Sequence, residues 1–390
     1  MTATQSAGRP RLESIDLVRG VIMVVMALDH TRDFFGVPGV SPTNLAAATP
    51  ALFLTRWITN FCAPVFFLLA GTGARLMLGR RSVGELSRFL ALRGLWLIVL
   101  ETVVIRCLVY QFNVDFRTTM LLVLWALGWS MIVLAGLVRL PMTVIAAIGV
   151  VLIAGHNVFD TLRVRSALWS ILHVPSVVLN TPGHVVFVSY PLVPWIGVTA
   201  IGFVLGSVYT WPPQQRRSLL FRTGVSLSAA FVVLRWLNVY GDAARWAHLA
   251  SPLLTALSFL NTTKYPPSLL FLLMTLGPAL VLLWAADFGT ARAFKPAVVI
   301  GRVPLFYYAA HFFSIHLLAV VVCLLRYGTA HWMFESPDLG HYPFTPPPGW
   351  GYTLPAVYAL WIAIVVAMYP MCRWFGELKQ RRREAWLSYL

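Results

Sequence analysis

The sequence has few charged residues and few cysteines. Charged residues make up 11% of its 390 positions, hydrophobic residues make up 58%, and the mean hydropathy is +0.75. A soluble core cannot use that much apolar surface, so the composition excludes an ordinary soluble globular protein. The 4 cysteines lie far apart without a CxxC pair, so neither a disulfide framework nor a zinc site is expected.

Motifs typical of many soluble enzymes are also missing. The sequence contains no phosphate loop, no dinucleotide glycine fingerprint, no GxSxG elbow and no paired metal-ligand histidines, so no metal is expected. The net charge of +16 would suit nucleic acid, but the basic residues fall in short clusters between apolar runs. Such clusters are typical of membrane topology signals, and no nucleic-acid partner is expected.

Long apolar runs fill most of the chain. One crossing of about 30 Å of hydrocarbon needs about 20 apolar residues. We therefore predict an all-α, polytopic transmembrane helix bundle of about ten spans in a lipid bilayer, with residues 1–390 forming a single domain. The predicted segments are 15–36, 54–78, 89–112, 119–138, 141–158, 186–210, 219–240, 267–286, 303–325 and 353–372.

Basic residues predict the orientation of these spans. Lys and Arg in short loops are retained in the cytoplasm, and a cytoplasmic N-terminus places about two thirds of the 30 basic residues there. Both termini are then cytoplasmic, as a short segment at 1–13 and a basic tail at 373–390. The longer loops on the outer side are 37–53, 159–185, 241–266 and 327–352.

Polar residues recur along the first apolar segment at steps of three and four, which places them on one helix face. They are Asp16, Arg19, His30 and Asp33, with Met23 and Met26 between them. Arg19 and His30 are therefore about 16 Å apart along that face. Charged groups inside hydrocarbon usually serve a function, although an ion pair and a polar cap at the helix ends are the alternative. We interpret the stripe as functional.

The run SIDLVRGVIMVVMALDHTRDFF, residues 14–35, resembles the first motif of the heparan-alpha-glucosaminide N-acetyltransferase catalytic-domain family, in its bacterial branch. Other runs spread over nearly the whole chain also resemble this family. They are APVFFLLAGTGARL from Ala63, SYPLVPWIG from Ser189, TKYPPSLLFLLMTLGP from Thr263 and GRVPLFYYAAHFFSIHLL from Gly301. The Arg19-to-His30 spacing is similar to the motif of O-antigen-acetylase-type membrane acyltransferases, where the arginine serves the acyl-CoA side and the histidine is catalytic.

This resemblance implies an integral acyltransferase of the plasma (inner) membrane. Its donor would be cytoplasmic acetyl-CoA, and its acceptor a hydroxyl or amine, in a carbohydrate or another small molecule, at the outer face. One feature departs from the family. The lysosomal member places its active histidine in the outer loop ahead of its second conserved helix, whereas residues 37–63 here contain no histidine. Only the Arg19/His30 pair carries over.

Acyl transfer needs a base near neutral pKa, and we predict that His30 is this base. It could instead carry the acyl group covalently. Asp29 and Asp33 are predicted to assist, and Asp33, three residues after His30, to orient the imidazole. Arginines bind the phosphates of CoA well, because the guanidinium forms a bidentate fork. The alternative is that these arginines are only cytoplasmic anchors. The predicted donor-binding residues are Arg19, Arg302 and Arg75.

Polar residues near the outer ends of other spans are candidates for binding the acceptor. Arg56 and Asn60 open the second span, Lys264 precedes the eighth, and Tyr308 and His311 lie in the ninth. Each has a structural alternative, since Arg and Lys also anchor helices at the interface and aromatic helices pack tightly. The sequence leaves these alternatives open.

A proton-coupled transporter or flippase is the main alternative function. Intramembrane acids, arginines and histidines also serve proton relays, and Glu101 in the third span would need a partner such as Arg106, Arg93 or Arg19. The sequence shows no inverted repeat with paired broken helices, which favours the enzyme. A homo-oligomer is compatible with this sequence.

Overall fold

The computed structural model describes most of the chain. The described residues are 12–162, 164–289, 291, 293–382 and 384. The predicted N-terminal segment 1–13 therefore lies almost wholly outside the described residues, and the tail 373–390 is described only to 382 and at 384.

The described residues are mainly helical, which confirms the predicted helical class. Each predicted apolar segment overlaps a helix or two consecutive helices. The α-helices are α1 Glu13–Phe35, α2 Pro50–Thr59, α3 Cys62–Met77, α4 Val83–Val99, α5 Val123–Leu137, α6 Met142–Gly155, α7 Ala167–Leu172, α8 Leu192–Val208, α9 Pro213–Leu237, α10 Pro252–Leu260, α11 Leu269–Ala286, α12 Lys295–Gly301, α13 Pro304–Tyr327 and α14 Leu354–Arg381. A π-helix follows α4 at Leu100–Tyr110, and 3₁₀ turns lie at His156–Phe159 and His331–Phe334.

Helical segments long and apolar enough to cross a membrane number 6 within the described part of the chain. They are Pro50–Met77, Met142–Phe159, Pro213–Leu237, Leu269–Ala286, Pro304–Tyr327 and Leu354–Arg381. The apolar helices α5 and α8 are shorter. The α1 helix is long enough but carries several charged residues. The apolar helices fit a multi-pass membrane protein, while the count of about ten spans and the cytoplasmic termini stay predictions.

A small sheet interrupts the helical pattern in the predicted outer loop 159–185 and at the starts of the predicted spans 119–138 and 186–210. Its strands are β1 Thr118–Leu121, β2 Ser176–Thr181 and β3 His184–Val188, in the order β1-β3-β2. Strand β3 pairs in parallel with β1 and antiparallel with β2. The sequence signal was a Thr-Pro-Gly turn between two valine-rich runs, which is typical of a hairpin. The prediction of a purely helical chain missed it.

The α1 helix crosses α12 at a point where two glycines meet. A Cβ at Gly20 would collide with the Ala297 carbonyl, and one at Gly301 would collide with the backbone of α1. Small residues allow such close approach of helix backbones. The contact places Arg19, which precedes Gly20, and Arg302, which follows Gly301, at the same end of the bundle.

The π-helix brings a carboxylate to the start of α5. Glu101 Oε2 accepts hydrogen bonds from the backbone amides of Leu124, at 2.5 Å, and Trp125, at 3.1 Å. The first amides of a helix have no partner within it, so Glu101 satisfies two of them. π-helical turns are often found at functional sites.

Arg106, one of the expected partners of Glu101, lies in the same π-helix but binds elsewhere. Its guanidinium donates to Asp115 at 3.3 Å and to Ser336 at 3.0 Å. It therefore ties together segments that the sequence places in outer loops. The partners of Glu101 are instead these two backbone amides and the Tyr308 hydroxyl, which sequence spacing cannot indicate.

Candidate active site

His30 on α1 and His311 on α13 form a pair of imidazoles. His30 Nδ1 lies 2.7 Å from His311 Nε2, and His311 Nδ1 lies 2.7 Å from the carbonyl oxygen of Tyr307. Because a carbonyl oxygen only accepts, His311 Nδ1 carries a proton, and the neutral ring accepts through Nε2. His30 must then donate from Nδ1. This tautomer leaves a lone pair on His30 Nε2, which makes that atom a base or a nucleophile.

Aromatic rings fix the orientation of His30. Its ring stacks on Phe312, with ring centroids 3.8 Å apart, and meets Tyr308 edge-on at 6.3 Å. His311 is fully buried behind it. A ring held between packed aromatic groups and a hydrogen bond loses little further freedom when a substrate binds. The site is therefore preorganised.

Two aspartates and two arginines form an ionic cluster beside His30. Arg32 bridges the two carboxylates, at 2.6 Å from Asp29 and 2.8 Å from Asp33. Arg56, on α2, also pairs with Asp29. The fold therefore brings together four polar residues of the predicted site region, and a second helix takes part.

The predicted contact between Asp33 and His30 has a different form in the structure. The Nδ1 hydrogen bond of His30 goes to His311, and the Asp33 carboxylate binds Arg32. The direct orienting group of His30 is thus an imidazole from α13. Asp33 lies in the same cavity and can act on His30 through the local electrostatic field.

A polar cavity of about 620 Å³ opens on the His30 side of this cluster. It holds seven of the residues predicted for the site and several more polar groups. The predicted residues in its wall are Asp29, His30, Asp33, Arg56, Asn60, Lys264 and Tyr308. We call it the outer cavity, because the sequence places its loops on the outer side.

A second cavity, of about 480 Å³, lies at the other end of the same helices. Its wall is mostly apolar, from Met23 and Met26 on α1 and from residues of α3, α4 and α5. Basic side chains also line it, and the sequence places all of them on the cytoplasmic side. They are Arg19, Arg81, Arg93, Arg302 and Lys379. We call it the inner cavity.

Arg19 and Arg302 are held in position at the inner cavity. Arg19 donates to Asp16 and to the Gly301 carbonyl, both at 3.2 Å. Arg302 donates to Glu13 at 3.2 Å. Two of the three arginines predicted to bind the donor therefore lie side by side in one cavity.

Tyr308 and Val123 belong to the walls of both cavities. The Tyr308 hydroxyl donates to Glu101 Oε1 at 3.5 Å, so it is tied to the carboxylate that caps α5. A partition about one side chain thick thus separates the inner cavity from the outer one. His30 lines the outer side of this partition, one helical turn above Met26 of the inner cavity.

Two predicted site residues line neither cavity. Arg75 packs half-buried, with its guanidinium carbon 5.9 Å from the ring centroid of Phe203. His311 contacts His30 from behind instead of facing the cavity. The position of Arg75 favours the structural alternative that the sequence left open for it.

The sequence did not single out several residues of the site. Tyr110 and Tyr190 line the outer cavity, and the Tyr190 hydroxyl lies 3.4 Å from that of Tyr265, the neighbour of Lys264. Arg81 and Lys379 were recognised only as topology signals. The sequence gives no sign that they could bind a ligand, because they reach the inner cavity from segments far apart along the chain.

Comparison with protein families decides the class. The family model described as heparan-alpha-glucosaminide N-acetyltransferase, catalytic, matches residues 11–249. The chain belongs to this family. Comparison with curated proteins gives no significant match.

Membership confirms the resemblance drawn from the motifs and gives the general function, a membrane acetyltransferase. The matched range carries Arg19, His30 and the acidic residues beside His30. Tyr308 and His311 follow it in the chain and complete the same site in three dimensions.

Proposed function

We propose that this transferase moves an acetyl group from cytoplasmic acetyl-CoA to an acceptor hydroxyl or amine at the outer face of the plasma (inner) membrane. The main support is the His30–His311 pair, which leaves a lone pair on His30 Nε2 beside the partition between the two cavities. One domain over residues 1–390 provides both cavities.

The inner cavity suits the donor. Its five basic side chains match the phosphates of CoA, and guanidinium groups bind phosphate in bidentate fashion. Its apolar wall from Met23 towards Met26 suits the slender arm that carries the thioester. Arg19 and His30 are about 16 Å apart along α1, so the phosphate end and the reactive end of the donor would lie well separated.

The outer cavity suits a polar acceptor such as a sugar. Carboxylates of Asp29 and Asp33 accept hydrogen bonds from hydroxyl groups, while Arg56, Asn60 and Lys264 donate them. Tyr190 and Tyr265 offer aromatic faces beside these groups. A small carbohydrate presents this mixture of hydroxyl groups and apolar ring faces.

The transfer step uses the free nitrogen of His30. Nε2 takes the proton from the acceptor hydroxyl or amine while the acceptor attacks the thioester carbonyl. The new bond to the acetyl carbon forms, the carbon–sulfur bond breaks, and the CoA thiolate receives the proton. His311 stabilises the imidazolium through its Nε2, and Tyr308 lines the cavity wall beside the reacting groups.

A covalent route uses the same atom. Nε2 attacks the thioester, releases the CoA thiolate and holds the acetyl group until the acceptor takes it. Incubation with acetyl-CoA labelled in the acetyl group, without acceptor, separates the two routes. The covalent route leaves label on the wild-type chain and none on His30→Ala, whereas the direct route labels neither.

The deciding experiment is an assay of purified protein in liposomes. Acetyl-CoA is supplied on one side and a panel of amino sugars and sugars on the other, and released CoA thiol is measured. We expect acceptor-dependent thiol release in the wild type, at least about a hundred-fold slower in His30→Ala. Proton-coupled movement of a solute without any thiol release would instead support the transporter alternative.

A further inference from the structure

Three side chains capable of holding a metal ion converge away from the acetyl-transfer site. His156 and Asp160 lie at the end of α6, and His173 lies just after α7. Their ligand atoms all lie within 4.8 Å of one another. Both histidines are only 2% exposed. The sequence predicts no such group, because the three residues show no paired-histidine spacing and only the fold brings them together.

The two histidines have unsatisfied nitrogens at the point where the three residues meet. Among the described residues, both ring nitrogens of His156 lack a hydrogen-bond partner, and His173 Nε2 makes no well-oriented hydrogen bond although Asp160 Oδ1 lies 3.3 Å from it. A buried polar group without a partner costs free energy, and such groups are rare in folded proteins. One nitrogen of each histidine lies near a common point together with the Asp160 carboxylate, so a ligand bound there would satisfy one nitrogen of each ring.

One of the three ligand separations matches that of a tetrahedral metal, and the other two are no longer than 4.8 Å. His173 Nε2 lies 3.3 Å from Asp160 Oδ1. Zinc binds histidine nitrogen and carboxylate oxygen at about 2.0–2.2 Å, so two ligand atoms on a tetrahedral zinc are about 3.3–3.5 Å apart. The nitrogen and the oxygen are therefore already at the separation that a shared zinc ion requires.

A second layer of contacts holds the carboxylate. The Asn157 side-chain amide donates to Asp160 Oδ2 at 2.8 Å, which leaves Oδ1 facing the histidines. The backbone amide of Leu269 in turn donates to Asn157 Oδ1 at 2.9 Å. Metal ligands are usually oriented by hydrogen bonds of this kind. The Trp169 ring, 4.9 Å from the His173 ring, covers one side.

We propose that His156, Asp160 and His173 bind a divalent transition metal ion, with zinc as the preferred ion. Two imidazoles and one carboxylate form a ligand set that zinc favours over calcium or magnesium, and a water molecule completes the tetrahedron. The ion joins the end of α6 to the segment that leads into β2. Through Asn157 it also fixes the start of α11, which follows the Lys264 and Tyr265 loop of the outer cavity.

The test is metal binding by tag-free, purified full-length protein. After stripping with chelator, the protein is titrated with zinc alone and, separately, with cobalt(II), whose visible absorption bands report tetrahedral coordination. We expect about one ion per chain, the tetrahedral cobalt bands, and a zinc-dependent rise in melting temperature. These effects are expected to disappear in the His156→Ala/His173→Ala double variant and to persist in His248→Ala, which changes an exposed histidine.

Two milder variants keep the test informative if the double variant fails to fold. Asp160→Asn keeps the shape and the contact with Asn157 but loses the anionic ligand. Asn157→Ala leaves all three ligands and removes the orienting hydrogen bond, so it should weaken zinc binding about 10- to 100-fold. No zinc bound to the wild type, or equal binding by the wild type and Asp160→Asn, would overturn the proposal.

Discussion

Arg19 and His30 lie on the same face of α1, and each lines a different cavity. Arg19 faces the inner cavity with Arg302, while His30 faces the outer cavity with Asp29 and Asp33. One helix therefore places the proposed phosphate-binding group and the proposed base on opposite sides of the partition, at a separation set by helical geometry. This relationship is the basis for most of the predictions that follow.

The first prediction concerns orientation. Reporter fusions after residues 81 and 217 should report cytoplasm, and fusions near 175, 250 and 340 should report the outer side, because basic residues are retained in the cytoplasm. A fusion after 390 should also report cytoplasm. The reverse pattern in these fusions would exchange the proposed sides of donor and acceptor.

The second prediction is that Arg19→Ala weakens donor binding. A hydrogen bond between charged groups contributes about 1.5–3 kcal/mol, so affinity for a non-reactive CoA thioether should fall about ten-fold or more. Arg19→Lys should retain only part of the wild-type affinity, because an ammonium cannot replace the guanidinium fork. Calorimetric titration with the thioether measures the affinity of both variants.

Two controls accompany this measurement. Arg222→Ala, which changes an exposed arginine of α9, should leave thioether affinity unchanged. Arg75→Ala should have a smaller effect than Arg19→Ala, because Arg75 packs near Phe203 outside the inner cavity. Equal affinity in Arg19→Ala and wild type would return Arg19 to the role of a membrane anchor.

The third prediction concerns His30. His30→Ala should lower kcat at least about a hundred-fold, the usual effect of losing an acid–base group, while the thioether still binds. His316→Gln is the matched control, since His316 is a buried histidine of α13 that donates to the Met333 carbonyl and Gln can keep that bond. Full activity in His30→Ala would remove His30 from the mechanism.

The fourth prediction separates the two candidate partners of His30. His311→Ala removes the acceptor that fixes the His30 tautomer, so kcat should fall about ten-fold or more with little change in the donor KM. His311→Gln should keep part of the lost kcat, because the glutamine oxygen can accept a hydrogen bond from His30 Nδ1. Asp33→Asn should lower kcat less than His311→Ala does. A larger loss in Asp33→Asn would make the carboxylate the more important partner.

The fifth prediction concerns stability. Glu101→Ala leaves the Leu124 and Trp125 amides unpaired inside the bundle, at a cost of about 1–3 kcal/mol, so the melting temperature should fall. The melting temperature of Glu101→Gln should fall less, because its amide oxygen still accepts hydrogen bonds from these backbone amides. Glu377→Ala, which removes exposed ion pairs with Arg373 and Arg381 on α14, should change the melting temperature little.

Helix positions and the polar stripe of α1 could be predicted from the sequence, because apolar run length and a spacing of three and four are local properties. The pairing of His30 with His311 could not be predicted, since 281 residues separate them and only the packing of α1 against α13 brings them together. Periodicity marked His311 as a residue facing a cavity. The structure instead places it behind His30.

The remaining misses have the same physical origin. Strands β2 and β3 lie across the junction between the predicted outer loop 159–185 and the predicted span 186–210, where apolar residues indicate a membrane helix, so the hairpin turn was overlooked. Arg81 and Lys379 read as topology signals because positive charge has the same pattern whether it faces lipid headgroups or a ligand. A sequence shows which side such residues lie on, and only tertiary structure shows which cavity they reach.

The partition formed by Tyr308 and Val123 has an electrical consequence. If water enters both cavities in the proposed orientation, the membrane voltage falls mainly across this thin layer instead of across about 30 Å of hydrocarbon. A unit charge that crosses the full voltage changes in energy by about 2.3 kcal/mol per 100 mV. In the proposed transfer a proton moves inward across this layer while an acetyl group, formally CH3CO⁺, moves outward, so each side of the membrane keeps its net charge. The membrane voltage therefore leaves the overall equilibrium of acetyl transfer unchanged and acts only on the transient state in which His30 is an imidazolium.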